Sequence, residues 1–569
     1  MLVSRPSAAA DTPRSAPSCG ATGATATIGA RSIAAASAIV TTTSTIRVVA
    51  GREVGNTLVT LCPAHLIAAS RRNARRRHPR SSPSIGQNGR WSARPPALYG
   101  GRGPGTYPRP IEAWLRRPIR MTPRTNRQMT LTFFMTAFGY HNDAWMHPRS
   151  NAEEIGKLSL IREMAQAAER AKLDAVFIAD SVSAHPLWRG AYRGASVYEP
   201  VVTLAALIGY TEKIGLIGTQ STTFNEPYTV ARQFAELDVL SDGRAAWNIV
   251  TAINGNENYG RELPPKDWRY DRATEFVDVV KKLWDSWDRD AIINDHERGR
   301  WVDTERMHRI NHVGEHFRVE GPLAIPRSPQ ERPVLVQAGQ SPAGLELGTS
   351  VADLVYAVQP EFGNAVEFYR TFKERVAAKG RNPEKVRILP GIMPITGRTQ
   401  KEAEEFAKEL EDSMHPGNSR ALIEGFLGID ISDLEMTDRI PQERFIDDPE
   451  RIERYKLFRD LAKELSVRDL MVHIARAVGH RVMIATPDKI AESMIEWFEG
   501  RACDGFNLNM PSIPEGMNRV FDLVVPELQE RGFFRAEYEG DTFRERSGLE
   551  VEEDDLQRLR ATYRTYATA

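Results

Sequence analysis

Short apolar runs alternate with longer amphipathic segments from residue 131 onward, and this alternation constrains the fold more than any other feature of the sequence. The apolar runs have the length of buried β-strands, and the segments between them carry apolar residues at helical spacing. We predict strands at 131–138, 174–180, 213–218, 243–250, 334–338, 353–357, 387–395 and 505–509. The clearest helices between them are predicted at 152–172, 200–210, 228–240 and 271–288. Strands that alternate with helices in this way form a parallel sheet with right-handed crossovers.

Eight such strands favour an α/β fold of the (β/α)8 TIM-barrel type over an open, doubly wound sheet. Two regions exceed a minimal barrel. Residues 289–332 contain the hairpin-like stretch HVGEHFRVEG, and 414–480 form a long, charged and partly helical excursion before the last strand. Because insertions of this size often form lids or subunit contacts in compact folds, we expect 414–480 to cover one end of the barrel.

The zero net charge of the 569 residues conceals two oppositely charged parts. Residues 1–120 contain 18 arginines, no lysine and three acidic residues, whereas the remainder contains 57 basic and 72 acidic residues. We therefore predict a basic leader, 1–120, and a barrel domain, 121–569. The leader could be a disordered arm that binds nucleic acid or membrane, a transit-type segment, or sequence upstream of a natural start at Met121 or Met129. We favour the last interpretation, because Met121 lies just before the first predicted strand.

The cysteines and the hydropathy of the chain favour a cytoplasmic protein. Of three cysteines only Cys503 lies in the barrel domain, so the sequence has neither a disulfide framework nor a C-x-x-C metal site. It also has no uncharged apolar run of about 18 residues or more, the length that a transmembrane helix needs. We therefore predict no membrane association, no nucleic-acid partner and no metal.

Polar side chains follow the predicted strands, at the carboxyl ends where barrel enzymes build their sites. They include His141 after the first strand, Asp180, Thr219 and Asn248 at the ends of the next three, and Gln340 and Ser341 after the fifth. Most are uncharged, which suits a large, hydrogen-bonding cofactor with one phosphate better than a metal. The sequence has no metal-ligand trio and no G-x-S-x-G nucleophile motif. Each residue taken alone could instead be a helix cap, a turn residue or a buried structural histidine.

The segment PVLVQAGQSPAGLELG, 333–348, is a candidate phosphate site. A buried strand gives way to a glycine-containing turn and then to a helix. Backbone amides and the positive end of the helix dipole can hold an anion at such a turn. No Gly-Lys-Ser/Thr follows, so the turn is not a Walker loop.

Several stretches resemble the bacterial-luciferase-like flavin monooxygenases, in particular the nitrilotriacetate, EDTA and dibenzothiophene-sulfone monooxygenase branch. The resemblance covers about residues 121–569 in order. The stretches are GYHNDAWMHP, STTFNEPYTVARQFAELDVLSDGRAAWNIVTA, RYDRATEFVDVVKKLWDSWD, PVLVQAGQSPAG and ACDGFNLNMPSIPEGMNRVFDLVVPELQERGFFR.

This resemblance implies a two-component enzyme. It would take FMNH2 from a separate NAD(P)H-dependent flavin reductase, combine it with O2 to form a C4a-(hydro)peroxyflavin, and transfer one oxygen to a small organic substrate. The sequence agrees with a separate reductase, because the barrel domain has no G-x-G-x-x-G dinucleotide motif of its own. The family also implies a homo-oligomer, a dimer or a tetramer.

The resemblance also assigns roles to individual residues. It places FMN contacts on Asp180, Thr219, Tyr270, Ser341 and its neighbour Gln340, and the position of Asn248 on the fourth strand adds that residue. Lys266 stands where the family usually has histidine; it can pair with a phosphate as a point charge but cannot reproduce the directional bond of an imidazole. His141 matches a family histidine that lies over the flavin, and we predict it as the catalytic residue.

Two other functions remain open at this point, a deazaflavin-dependent luciferase-like oxidoreductase and a flavin-binding barrel without turnover. The substrate is open as well. Aminopolycarboxylates would need cations such as Arg189 and Arg193, which follow the second strand. A sulfur heterocycle would instead need an aromatic pocket, for which Phe138, Trp145 and Phe224 are candidates.

Overall fold

The computed structural model describes residues 127–183, 198–445 and 453–549. The predicted leader, 1–120, lies outside these residues, as do Arg189 and Arg193. Every helix within the described ranges is too short or too polar to cross a bilayer.

Eight parallel strands close into a barrel, which confirms the predicted (β/α)8 fold. They are β1 (Thr130–Phe134), β2 (Ala175–Ile178), β3 (Gly215–Ser221), β4 (Ala245–Val250), β5 (Val334–Gln337), β6 (Leu354–Ala357), β7 (Arg387–Thr396) and β8 (Gly505–Leu508). Each pairs with the next, and β8 pairs with β1, for example Phe506 opposite Leu131. The first strand is shorter than predicted, because the amide of Met135 makes its last bond to β2, at the carbonyl of Phe177, 2.8 Å away.

Helices connect the strands and cover the outside of the barrel. They are α1 (Leu158–Arg170), α2 (Pro200–Ile208), α3 (Pro227–Leu240), α4 (Lys266–Trp284), α5 (Pro342–Val351), α6 (Phe362–Ala378), α7 (Gln400–Asp412), α8 (Pro416–Leu427), α9 (Glu453–Leu461), α10 (Val467–Ala477), α11 (Pro487–Glu499), α12 (Glu515–Arg519), α13 (Val525–Glu530) and α14 (Phe543–Arg546). A π-helical turn, Val520–Val524, joins α12 to α13. Proline at the first position of α2, α3 and α5 fits a helix start, where its missing N–H would have no partner.

Both predicted insertions are present. Residues 289–332 form two antiparallel hairpins, Ile292–Asp295 with Arg300–Val302 and His312–Val313 with Arg318–Val319. The excursion contributes α8, α9 and α10, whose buried faces pack in one apolar cluster with Met393 and Ile395 of β7. It therefore covers the carboxyl end of β7, as expected. One strand, Arg481–Ala485, was not predicted; it pairs with Ile392–Thr396, which lie beyond the end of β6 on the longer β7.

The C-terminal segment closes the amino end of the barrel. Phe543 of α14 is fully buried among inward-facing strand residues such as Phe177 and Ile217. A Cβ on Gly215, the first residue of β3, would lie 2.8 Å from the ring of Phe543. Because the described residues fill this end, we look for the site at the carboxyl ends of the strands.

Candidate active site

Thr219 and Asn248 form a hydrogen-bonded pair inside the barrel, as their predicted positions at the ends of neighbouring strands require. The Thr219 hydroxyl donates to the Ile178 carbonyl at 2.9 Å, and Asn248 Nδ2 donates to Thr219 Oγ1 at 2.9 Å. Asn248 Oδ1 is buried and has no hydrogen-bond partner among the described residues. An unsatisfied buried acceptor costs about 1–3 kcal/mol, and a ligand N–H group would remove that cost.

Asp180 lies two residues beyond β2, at the same end of the barrel, and is half-buried. Burial, and then the nearby carboxylate of Asp180, raise the pKa of Tyr259. Tyr259 stacks on Phe224, with ring centroids 4.3 Å apart and planes 6° from parallel. The charge of Asp180 thus acts on an aromatic pair that includes Phe224, one of the predicted pocket residues.

The turn after β5 brings three predicted residues together. Ser341 caps α5 by accepting a hydrogen bond from the Gly344 amide at 3.2 Å. The Tyr270 hydroxyl, on α4, lies 3.5 Å from Ser341 Oγ. The Gln340 side chain accepts from the Val358 amide at 2.7 Å, so it anchors the turn to the end of β6.

Two glycines hold this turn against the first turn of α5. A Cβ on Gly344 would lie 2.9 Å from the carbonyl carbon of Gly339. A Cβ on Gly339 would lie 3.3 Å from the Tyr270 hydroxyl and would collide with the side chain of Gln337. The helix amides, two hydroxyls and the helix dipole thus meet at one point, an arrangement that suits a phosphate.

Lys266 is the first residue of α4, one turn before Tyr270. Residues four apart share a helix face, so its ammonium group starts from the face that carries Tyr270. Two arginines of the same helix, which sequence reasoning did not assign, hold the neighbouring loops: Arg269 donates to the Ala252 carbonyl and Arg272 to the Thr222 carbonyl. Burial lowers the pKa of both guanidinium groups. The Arg269-Tyr270 dipeptide was the sequence signal that could have identified Arg269 as part of the site.

His141 is fully buried in the loop after β1. The loop is held from two sides: the Tyr140 amide donates to the Met510 carbonyl at 2.6 Å, and the Asn142 amide donates to the Ala475 carbonyl of α10 at 2.8 Å. Asp143 accepts from the His415 amide at 3.1 Å. The described parts of the 414–480 excursion therefore pack directly on the loop that carries His141.

Gly139 lets this loop approach the segment after β8. Its φ is +117°, and a Cβ would lie 2.5 Å from the Ser512 Cα atom. In the closed ring of eight strands, β1 stands opposite β5. His141 and the Ser341 turn therefore follow opposite strands at the same end of the barrel.

A comparison with protein families decides what this barrel is. The family model for luciferase-like monooxygenases matches residues 133–504. The chain belongs to this family. It is a luciferase-like monooxygenase of the branch predicted from the sequence, because its relatives include enzymes of that branch.

Three relatives are similar over nearly their whole length. The chain is 41% identical over 439 residues to N-acetyl-S-(2-succino)cysteine monooxygenase of Bacillus subtilis (strain 168), covering 74% of this chain and 97% of the relative. It is 39% identical over 443 residues to nitrilotriacetate monooxygenase component A of Aminobacter aminovorans, again 74% and 97%. It is 35% identical over 446 residues to dibenzothiophene-sulfone monooxygenase of Rhodococcus erythropolis, with coverage of 75% and 97%.

A solved structure supports the same placement. The EDTA monooxygenase from Chelativorans sp. BNC1 superposes with a TM-score of 0.62 at 33% identity, covering 74% of this chain and 99% of that chain. Both the fold and the enzyme class predicted from the sequence are thereby confirmed for the luciferase-like monooxygenase. The individual cofactor contacts and the role of His141 stay predictions.

Proposed function

We propose that this luciferase-like monooxygenase is the oxygenase component of a two-component system. It would use FMNH2 from a separate NAD(P)H-dependent flavin reductase, and O2, to oxygenate a small organic substrate. The contact between Ser341 and Tyr270 at the start of α5, on the opposite side of the mouth from the buried His141, carries this proposal. The relative named component A supports the need for a partner.

The residues fit FMN at two points. The Ser341 turn, with the amides of α5, the Tyr270 hydroxyl and the lysine at position 266, suits the phosphate. The unpartnered Asn248 Oδ1 suits an N–H group of the ring. FMN, when bound in its reduced form, would supply the electrons that activate O2.

The remaining work falls to this chain's own residues. Ser341 and Tyr270 bind the tail and so fix how deep the ring lies in the mouth. The imidazole of His141 can both donate and accept a proton. His141 would therefore hold or move a proton at one of its own two ring nitrogens. The excursion that packs on its loop would exclude water during the reaction. Cytoplasmic location and a dimeric or tetrameric assembly stay predictions.

The test is oxygen transfer by the purified full chain. Photoreduced FMN and 18O2 would be mixed with the protein and with each of three probe compounds. The probes are the compounds in the relatives' names: N-acetyl-S-(2-succino)cysteine, nitrilotriacetate and dibenzothiophene sulfone. We expect mass spectrometry to detect a product labelled with one 18O atom for at least one probe. Ser341→Asp should abolish it, because a carboxylate repels the phosphate, whereas Ser341→Thr should retain it.

The two alternative functions give different results in the same experiment. A deazaflavin-dependent oxidoreductase would transfer hydride and incorporate no 18O. A flavin-binding barrel without turnover would bind FMN and give no product with any probe, even though the flavin is reoxidised by O2. Either result would contradict the monooxygenase proposal.

A further inference from the structure

A histidine from outside the eight barrel strands fills a gap in the barrel wall. His480 immediately precedes the strand Arg481–Ala485 and is only 4% exposed. On β7, Gly391 has no side chain, and a Cβ there would collide with His480 Nδ1 and lie 2.9 Å from Asn509 Nδ2. The imidazole therefore occupies the space that a side chain of β7 would take.

Two aromatic rings hold this imidazole. Tyr356 of β6 stacks on His480, with ring centroids 5.1 Å apart and planes 11° from parallel, and Tyr140 meets it edge-on at 5.7 Å. Tyr356 in turn packs against Phe134 and Phe177, at centroid distances of 5.5 and 5.8 Å. The polar atoms of the group thus lie within an aromatic wall.

With Asn509 Oδ1 on the side of Tyr356, the hydrogen bonds among Tyr356, His480 and Asn509 have one consistent direction. Tyr356 Oη lies 2.8 Å from His480 Nε2 and 3.4 Å from Asn509 Oδ1. A phenol has one proton, and an amide oxygen can only accept. Both contacts are satisfied when His480 Nε2–H donates to Tyr356 and Tyr356 donates to Asn509. The asparagine then presents its NH2 group away from the tyrosine.

That NH2 group is a buried donor in need of an acceptor. Asn509 is fully buried, and its Nδ2 has no hydrogen-bond partner among the described residues. Leaving such a donor unsatisfied is costly, and an oxygen atom of a ligand would relieve it. In the ring of strands, β7 stands opposite β3, which carries Thr219. A flavin bound at Thr219 would therefore leave His480, which lies beside Gly391 of β7, on the side of the mouth that faces the substrate.

We propose that Asn509, His480 and Tyr356 form the substrate-binding wall of the mouth. Asn509 Nδ2 donates to an oxygen of the substrate, and His480 and Tyr356 are positioning residues that fix the direction of that amide. The substrate class is accordingly a compound with an oxygen acceptor attached to an apolar body, and a plain thioether or hydrocarbon, which would leave the amide unpaired, should bind much more weakly. This assignment rests on the proposed function for the placement of the flavin.

Isothermal titration calorimetry on the purified full chain tests the wall without turnover, with and without FMN. The probes are N-acetyl-S-(2-succino)cysteine, dibenzothiophene sulfone and, as a thioether without oxygen, dimethyl sulfide. We expect at least one oxygen-bearing probe to bind and dimethyl sulfide not to bind. Asn509→Leu should raise the Kd of the bound probe about tenfold and leave the Kd for FMN unchanged. Failure of every oxygen-bearing probe to bind, or binding of dimethyl sulfide alone, would overturn the proposal.

Three variants separate positioning from general damage to the fold. His480→Leu should weaken probe binding, and His480→Gln, whose amide can still donate to Tyr356, should restore most of it. Asn507→Leu is the comparison variant: it removes a buried amide two residues earlier, on β8, whose Oδ1 accepts from Thr132 at 2.6 Å and whose Nδ2 also has no partner among the described residues. If the Asn507 and Asn509 variants weaken probe binding equally, the wall is structural and the proposal is wrong. Because calorimetry needs no product, a failure of oxygen transfer leaves this result readable.

Discussion

Gly344→Ala tests whether the turn after β5 holds the phosphate. The new Cβ would lie 2.9 Å from the carbonyl carbon of Gly339 and 3.0 Å from its Cα and oxygen, all of them backbone atoms. Carbon atoms pack at about 3.5 Å or more, so the turn and α5 would have to separate by roughly 0.5 Å. Overpacking of this kind costs about 1–3 kcal/mol, and alanine regains about 1 kcal/mol over glycine within a helix. The net loss of stability should be about 0–2 kcal/mol.

Gly344→Ala should weaken FMNH2 binding more than its small effect on stability suggests. A hydrogen bond to a charged group contributes about 1.5–3 kcal/mol, and a shift of the turn weakens the bonds that its amides make to the phosphate. We therefore expect the Kd for FMNH2 to rise about tenfold or more. Anaerobic fluorescence titration with photoreduced FMN measures the Kd, and thermal unfolding measures stability.

Gly363→Ala on α6 is the control for this substitution. No atom lies within 4 Å of the Cβ that it would add. It should raise stability by up to about 1 kcal/mol and leave FMNH2 affinity unchanged. If Gly344→Ala binds FMNH2 as tightly as the wild type, or if both variants bind it equally weakly, the turn is not the phosphate site.

Two further predictions concern the stability of the barrel. Arg535→Met would leave the fully buried Asp174 without its cationic partner and should cost about 3–5 kcal/mol in urea unfolding, whereas Arg370→Met, which breaks only exposed ion pairs, should cost less than about 1 kcal/mol. Burial by itself raises the pKa of Asp504, but Lys373 and neighbouring arginines outweigh it and hold this pKa below its ordinary value. The carboxylate should therefore stabilise the fold fully above about pH 4 and lose that contribution as the pH falls through the lowered pKa. Asp504→Asn should lose less stability than the wild type between pH 6 and pH 3, and an equal loss would refute this.

Much of the fold and part of the site follow from local sequence patterns. Parallel strands buried on both faces appear as apolar runs, so the eight barrel strands could be recognised, and their carboxyl ends pointed to Thr219 and Asn248. The contact between Tyr270 and Ser341 joins α4 to α5 across 71 residues of chain, which no local pattern encodes. Ser341 was predicted from its position after the fifth strand, whereas Tyr270 was predicted from the family resemblance alone. The strand Arg481–Ala485 was missed because its partner is the part of β7 that extends beyond β6.

His480 shows why the remainder of the site could not be predicted, and which sequence signal exists. Side chains alternate along a strand, so Gly391 faces the interior with Leu389, whereas Gly218 faces outward, where a Cβ would lie 2.8 Å from Leu204 of α2. An outward glycine is accounted for by close helix packing. An inward glycine level with the carboxyl ends of the neighbouring strands leaves a gap, and because interiors are close-packed, a side chain from elsewhere or a ligand must fill it. The position of Gly391 could therefore have marked the wall, but only the folded chain could identify His480 as the residue that fills it.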